Sequence, residues 1–388
     1  MNLSGRRIHL VGSADPEADE AKLAYAHRLV SALTSALLNE GANFVLPFGK
    51  EPLLKDRTDG PSIIFDWTVT QEVHRALLAG TVQPSGPNGR LIASIATSKT
   101  DTHIPATRQT IYRELRDRSA MSMEFIERGW SAGAIVRPRL AQLGDIFIGI
   151  SGGQGLEQLA VEYSVKGKPV IPLDIDVGSS SRDGSGGAPR LFDRARVDHA
   201  EFFRVGAGDD AADLLDRTRT QSGTAPVDDV VKAVLRLLHA LQPPQVFYVR
   251  LLNANILEYP SVEQFFRGTV DPLVRQLGYE PLQMGLGHNE FAWMNQAIFD
   301  SLHHSSVVLV DLTGQRPNCF MELGYAFGNG QRVIVTARND TRIAFDASPI
   351  EAFMWDEHAD PANQIALLQT HWERNIGMPS LVIPRTAK

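Results

Sequence analysis

Two carboxylates stand out by their spacing. Val307-Val308-Leu309-Val310 reads as a buried strand that runs out into Asp311, and Leu312-Thr313-Gly314 follows as a short loop. Pro317 then marks a helix start, with Glu322 about one turn further on. This succession brings Asp311 and Glu322 to the C-terminal edge of a parallel sheet, the edge at which open α/β folds bind ligands. An acid pair so placed suits cleavage of a glycosidic bond. Positive charge develops on the sugar, and a carboxylate beside the anomeric carbon stabilises that charge or attacks it. Glu322 is the expected reacting group, with Asp311 orienting base or ribose. Thr313, Gly314 and Asn318 lie along the same loop and helix start. Arg250 follows the strand Val246-Phe247-Tyr248-Val249, a good place for a phosphate contact, and His288 precedes a helix in a Gly-rich loop that would line the cleft. The bland alternative is that Glu322 merely favours the helix dipole and Asp311 caps a turn.

The first half carries a different signal. Ile8-His9-Leu10-Val11 ends in Gly12-Ser13, and Ile146-Phe147-Ile148-Gly149-Ile150 ends in Ser151-Gly152-Gly153-Gln154-Gly155. Glycines directly after strands let backbone N–H groups approach a phosphate at a helix N-terminus. They also simply permit tight turns. Arg137 and Arg139 precede the second of these strands and are candidates for the same nucleotide, within a wider arginine cluster (Arg108, Arg113, Arg116, Arg118, Arg128).

The elements that must position these residues alternate. Strands at 8–11, 43–46, 91–95, 146–150 and 169–173 are separated by helical patterns at 17–40, 63–78, 108–128 and 154–166. Residues 191–240 read as mostly helical. Gln242-Pro243-Pro244-Gln245 is the best boundary, because two prolines cannot continue a helix. A second series follows: strands at 246–249, 279–283, 307–310 and 332–335, with helices at 261–277, 290–303 and 317–328. Such alternation predicts the α/β class with two doubly wound parallel sheets, Rossmann-like or flavodoxin-like, in domains 1–241 and 245–388.

Composition sets bounds. A net charge of −7 argues against duplex nucleic acid as partner, since that binding rests on basic residues neutralising phosphates. No apolar run approaches the ~20 residues of a membrane span, so no membrane partner is expected. The N-terminus lacks a signal-peptide pattern, and Cys319 is the single cysteine, so the cytoplasm is the expected compartment. The pair His303-His304 has no metal-ligand spacing to other His or Cys and reads as a helix end, so no metal is expected.

Residues 6–175 resemble the SLOG superfamily, which includes Lonely-Guy phosphoribohydrolases and nucleotide-sensing domains. The resemblance rests on the Gly12-Ser13 strand end and on Gly144-Asp145-Ile146 through Gly155. Phosphoribohydrolases of that group carry Pro-Gly-Gly-x-Gly-Thr-x-x-Glu; here Ser151, Leu156 and Leu159 replace its proline, threonine and glutamate. The resemblance therefore implies nucleotide binding and leaves the hydrolytic carboxylate absent. Residues 245–356 resemble nucleoside 2-deoxyribosyltransferase-like and TIR-like NAD-cleaving domains, through Asp311-Leu312-Thr313-Gly314, Pro317-Asn318, Glu322-Leu323-Gly324-Tyr325-Ala326 and Phe345-Asp346. Together the resemblances imply a bacterial defence-type effector in which a nucleotide-derived signal gates cleavage of NAD or a nucleoside, with no added cofactor and with homo-oligomerisation. The alternatives are a non-catalytic nucleotide-binding regulator and a phosphoribohydrolase acting through the first half.

Overall fold

A computed structural model describes residues 1–84, 90–126, 132–181, 185–220, 225–283, 291–343 and 351–376, without the side chains of 132–133 and 291–295. The described chain separates into two compact units, one running to Gln242 and the other beginning at Pro243.

The N-terminal unit contains β1 (Arg7–Ser13), α1 (Glu20–Asn39), β2 (Asn43–Val45), α2 (Asp66–Leu78), β3 (Ile92–Thr97), α3 (Thr100–His103), α4 (Gln109–Asp117), β4 (Met121–Ile126), α5 (Ala132–Leu143), β5 (Ile146–Ser151), α6 (Gln154–Ser164), β6 (Val170–Leu173), α7 (Gly187–Val197), α8 (Ala211–Asp216) and α9 (Val227–Ala240). Its six strands are all parallel, in the order β4-β3-β2-β1-β5-β6. Every residue of β5 is buried, as expected of a strand covered on both faces. The order reverses between β1 and β5, so Ser13 and Ser151, which pair in register, stand at the topological switch point.

The C-terminal unit contains β7 (Gln245–Val249), α10 (Tyr259–Phe265), a π-helical turn (Phe266–Val270), α11 (Asp271–Gln276), β8 (Glu280–Leu282), α12 (Phe291–His304), β9 (Val307–Asp311), α13 (Pro317–Gly328), β10 (Arg332–Arg338), β11 (Ala352–Trp355) and α14 (Pro361–Asn375). The order β11-β10-β9-β7-β8, again all parallel, is the flavodoxin-like arrangement, with its switch point between β7 and β9. Alternate residues feed two cores. Val246, Tyr248, Val307 and Leu309 pack with Phe265, Leu368 and Trp372. Phe247, Val249, Val308 and Val310 pack with Cys319, Leu323 and Ala326 of α13. This period-2 alternation is what a sheet between two helical layers requires.

The predicted α/β class with two parallel sheets is observed. Four elements depart from expectation. The helix expected over 108–128 ends at Asp117, where Ser119 turns left-handed (φ 56°) into strand β4. Helix α5 forms despite its internal Pro138. Strand β11 and helix α14 extend the C-terminal unit beyond what the sequence patterns indicate.

Candidate functional site

The C-terminal site is built from the end of β9. Asp311 is wholly buried, and both of its oxygens are engaged. Oδ1 accepts from the backbone N–H of Thr313 at 3.0 Å. Oδ2 accepts from Thr336 Oγ1 at 2.7 Å and from the indole Nε1 of Trp355 at 2.9 Å. Burial raises its proton affinity, while the hydrogen bonds from Thr313, Trp355 and Thr336 oppose that. The aspartate thus anchors the turn that leads out of the strand. Leu312 N–H bonds Thr336 O at 2.9 Å, and buried Thr313 accepts from Arg338 N–H at 2.9 Å. The chain then reverses through two left-handed residues, Gly314 (φ 74°) and Gln315 (φ 48°). An added Cβ on Gly314 would meet open space, so the glycine answers to conformation rather than crowding.

Pro317 opens α13 at a first-turn position where its missing N–H is no loss. Cys319, Leu323 and Ala326 form the buried stripe of this helix. Glu322, three residues after Cys319, lies on the flank of that stripe and is consequently half-buried. No hydrogen-bond or ion-pair partner reaches its carboxylate among the described residues, and burial alone raises it to about 7. Cys319 is pushed up to about 12 by burial, then by the nearby Glu322 and Asp311 charges, so its thiol stays protonated and inert. Asn318 is exposed in the first turn of α13.

Arg250 lies at the edge of the same sheet but faces inward. Its Nη1 pairs with Glu263 at 2.6 Å, its Nε and Nη2 donate to Gln283 at 3.1 and 2.6 Å, and the guanidinium stacks 4.7 Å over Phe266. Only 5% of its side chain is exposed. The expected phosphate contact is therefore not presented in this conformation; Arg250 instead ties β7 to α10 and β8. His288, with Phe345 and Asp346, lies outside the described residues.

At the N-terminal switch point Gly12 has a steric reason to be glycine: a Cβ there would stand 1.8 Å from Ile150 O on β5. Ser13 Oγ donates to Ser180 Oγ at 2.9 Å. Ser151 is buried at φ 50°, a geometry closed to the proline of the resembled motif, whose ring fixes φ near −65°. Gly152 O accepts from Ser179 Oγ at 2.8 Å and from Ser180 N–H at 3.0 Å. A Cβ on Gly153 would meet Ser181 N at 2.9 Å. The glycine loop is thus closely packed by the serines that follow β6, while Gln154 and Gly155 remain exposed at the start of α6.

Arg137 runs beside Gly155 and donates to Gln158 at 2.8 Å, so the structure brings it to the first turn of α6. Arg139 goes elsewhere: it is buried, and pairs with Glu124 of β4 and with Gln142. Leu156 and Leu159, at the motif's threonine and glutamate positions, are core residues. Glu157 is held by Gly187 N–H and Arg190.

Sequence reasoning missed Thr336, Arg338 and Trp355, which lie on two later strands and meet Asp311 or Thr313 only in the fold. Among the described residues no cluster of His, Cys, Asp and Glu is placed to hold a metal ion, and no helix is long and apolar enough to cross a membrane.

Two open parallel sheets, each with polar residues gathered at its switch point, define a tandem open-sheet α/β protein. Residues 3–238 match the family described as ATP nucleosidase Cap17-like, N-terminal, and the chain belongs to that family. It is similar to two curated relatives, each named ATP nucleosidase Cap17, from Escherichia coli strain KTE188 and from Escherichia coli. Each is 20% identical over 185 residues, which are 48% of this chain and 35% of the relative. The matched stretch is thus about a third of the relatives' length.

Proposed function

We propose that this chain cleaves the N-glycosidic bond of a nucleotide, with the reaction in the C-terminal unit and Glu322 as the reacting carboxylate. The observation that carries this reading is Glu322 itself. It is half-buried beside the switch point of a flavodoxin-like sheet, without a counter-ion among the described residues, and shifted to about 7. A carboxylate shifted by burial at such a sheet edge is a candidate reacting group. As the C1′–N bond breaks, the base leaves with the bonding pair and takes a proton from solvent, and an ionised Glu322 stabilises the positive charge at C1′ or bonds to it; water then adds at C1′, loses a proton and releases the free sugar and the carboxylate. The charge that is costly in the free protein becomes favourable only when its partner charge appears in the transition state. Asp311 contributes by holding the loop from which α13 starts.

The N-terminal unit then binds a nucleotide ligand at the β1/β5 switch point and controls the second unit, as in a defence effector. ATP is the first substrate to test, given the family name; NAD and deoxynucleosides follow from the resemblance of the second half. The test is chromatography of products after incubation with ATP, NAD and a panel of nucleosides and deoxynucleosides. Free base or nicotinamide is expected. Intact substrates, also in the presence of extract from phage-infected cells, would contradict the reading.

A second reading places the reaction in the N-terminal unit, and the family match favours it because it falls on that half. Against it stands Leu159, a core residue where the phosphoribohydrolase motif carries its glutamate.

A further inference from the structure

The N-terminal unit holds a buried acid outside the residues described so far. Asp66 is the first residue of α2. Its Oδ1 is closed off from solvent and meets no donor, although the residue keeps part of its surface open. Buried polar atoms almost always find partners, and an unpaired one calls for an explanation. An acid in the first turn of a helix ordinarily turns its carboxylate toward the helix N–H groups. Asp66 shows no such bond, and burial alone raises its carboxyl to about 7.

Its place in the fold is specific. The segment before α2 crosses the end of β1: Ala14 N–H bonds Ile63 O at 2.7 Å, and Ile64 bridges Ser13 in antiparallel fashion. Asp66 therefore enters α2 two residues after the chain touches Ser13, at the sheet edge where the order reverses. The start of α2 is fixed by Trp67, which is buried and donates from Nε1 to Gly49 O at 3.2 Å.

Several charged and titratable groups on elements packed against α2 are engaged with other partners. His27 of α1 bonds Thr68 Oγ1 at 2.7 Å and Ser62 O at 2.6 Å. Glu72 pairs with Arg75 and accepts from Ser31. His74 pairs with Glu114 of α4, and Arg108, just before α4, pairs with Glu51. On β1, His9 bonds Tyr163. No counter-charge among the described residues acts on Asp66, so burial disfavours the ionised carboxylate, and below about pH 7 the neutral carboxyl, a hydrogen-bond donor, is the main form.

We propose that Asp66 is a ligand-reading acid of the N-terminal unit: a neutral carboxyl group at the switch point that donates its proton to a ring nitrogen of the nucleobase bound there. A ring nitrogen offers the lone pair that such a donor needs, and phosphate does not require it, so Asp66 distinguishes a nucleotide from a bare anion. This rests on the reading that the N-terminal unit binds a nucleotide.

The test is calorimetric binding of carbocyclic ATP to the chain between pH 5.5 and 8.5. This probe keeps the adenine and the phosphates, but has carbon for the ring oxygen and cannot form an oxocarbenium ion. Wild-type affinity is expected to fall by up to about tenfold per pH unit above 7, as Asp66 ionises. Asp66→Asn, which still donates, is expected to bind within a few-fold of wild type at pH 6 and to lose that part of the pH dependence. The probe's own phosphate titration is common to both proteins and cancels in the comparison. Asp66→Ala is expected to bind at least tenfold more weakly at pH 6. Equal affinity and equal pH dependence in all three proteins would overturn the role of Asp66. No binding by wild type at any pH would overturn the nucleotide site and Asp66 with it.

Discussion

The indole of Trp355 donates to Oδ2 of Asp311 at 2.9 Å, reaching from β11 past β10 to the end of β9. The same indole lies flat on Phe265, 4.5 Å away with planes 6° apart. One side chain thus joins the apolar layer behind the sheet to the carboxylate that anchors the loop before Glu322. Asp311→Asn would put an amide donor against a donor already aimed at it, either Thr313 N–H or the Thr336 and Trp355 pair. A loss of about 2–3 kcal/mol is expected, against about 1 kcal/mol for Trp355→Phe, which keeps the stacking. Because the two residues share one network, the double variant is expected to lose less than the sum. Denaturant unfolding of the four proteins checks this.

Glu322 ties activity to pH. In the proposed role of stabilising or attacking C1′ it must be ionised, so base release is expected to rise with pH through about 7 and then level off. Its stability effect has the opposite sign. The folded state holds the proton up to about 7 while the unfolded chain releases it near the ordinary 4.5, so stability falls as pH rises between those values. Glu322→Gln removes that penalty. Allowing for partial solvent access, a gain of about 1–2 kcal/mol at pH 7.5 is expected, and no gain at pH 4. Melting curves at the two pH values measure it.

His9 makes the N-terminal unit acid-sensitive. It is fully buried, hydrogen-bonds through Nδ1 to Tyr163 OH at 3.0 Å, and leaves Nε2 without a partner among the described residues. Burial lowers its pKa from 6.5 to about 3. The unfolded chain therefore takes up a proton below pH 6.5 that the folded chain refuses until about 3. Stability is expected to fall by up to about 1.4 kcal/mol for each pH unit in that window, and His9→Gln to flatten that slope. Denaturant midpoints from pH 7 to 4 report it.

Gly12→Ala places a methyl group 1.8 Å from Ile150 O, where only backbone could yield. A loss of several kcal/mol, about 3 or more, is expected in the N-terminal unit. Limited proteolysis with and without the substitution would show that unit opening first.

The core strands were legible because their chemistry is local. Val307–Asp311 and Ile146–Ser151 are apolar runs of strand length that end in polar or glycine punctuation, and both form as read. Strand β4 was not legible. It lies at the sheet edge, exposes Phe125 and carries Glu124, whose partner Arg139 comes from α5. Its neighbours in sequence are rich in arginine and favour helix. Pro138 hid α5 in the same way. At the sites, sequence singled out Glu322 as a candidate but could not show that Asp311 and Arg250 are engaged by partners from other elements. Asp66 falls within the helical pattern at 63–78 and carries no sequence signal of its own; only the fold brings Ile64, two residues before it, against Ser13.

The central claim is that Glu322 performs the bond cleavage rather than the binding. The most direct measurement compares wild type and Glu322→Gln for both nucleotide affinity and rate of free-base release, on whichever substrate the product screen identifies. Affinity within a few-fold and a rate lowered at least about 10³-fold are expected, the effect of removing a group that acts in the transition state. Undiminished base release by Glu322→Gln would contradict it and move the chemistry to another residue.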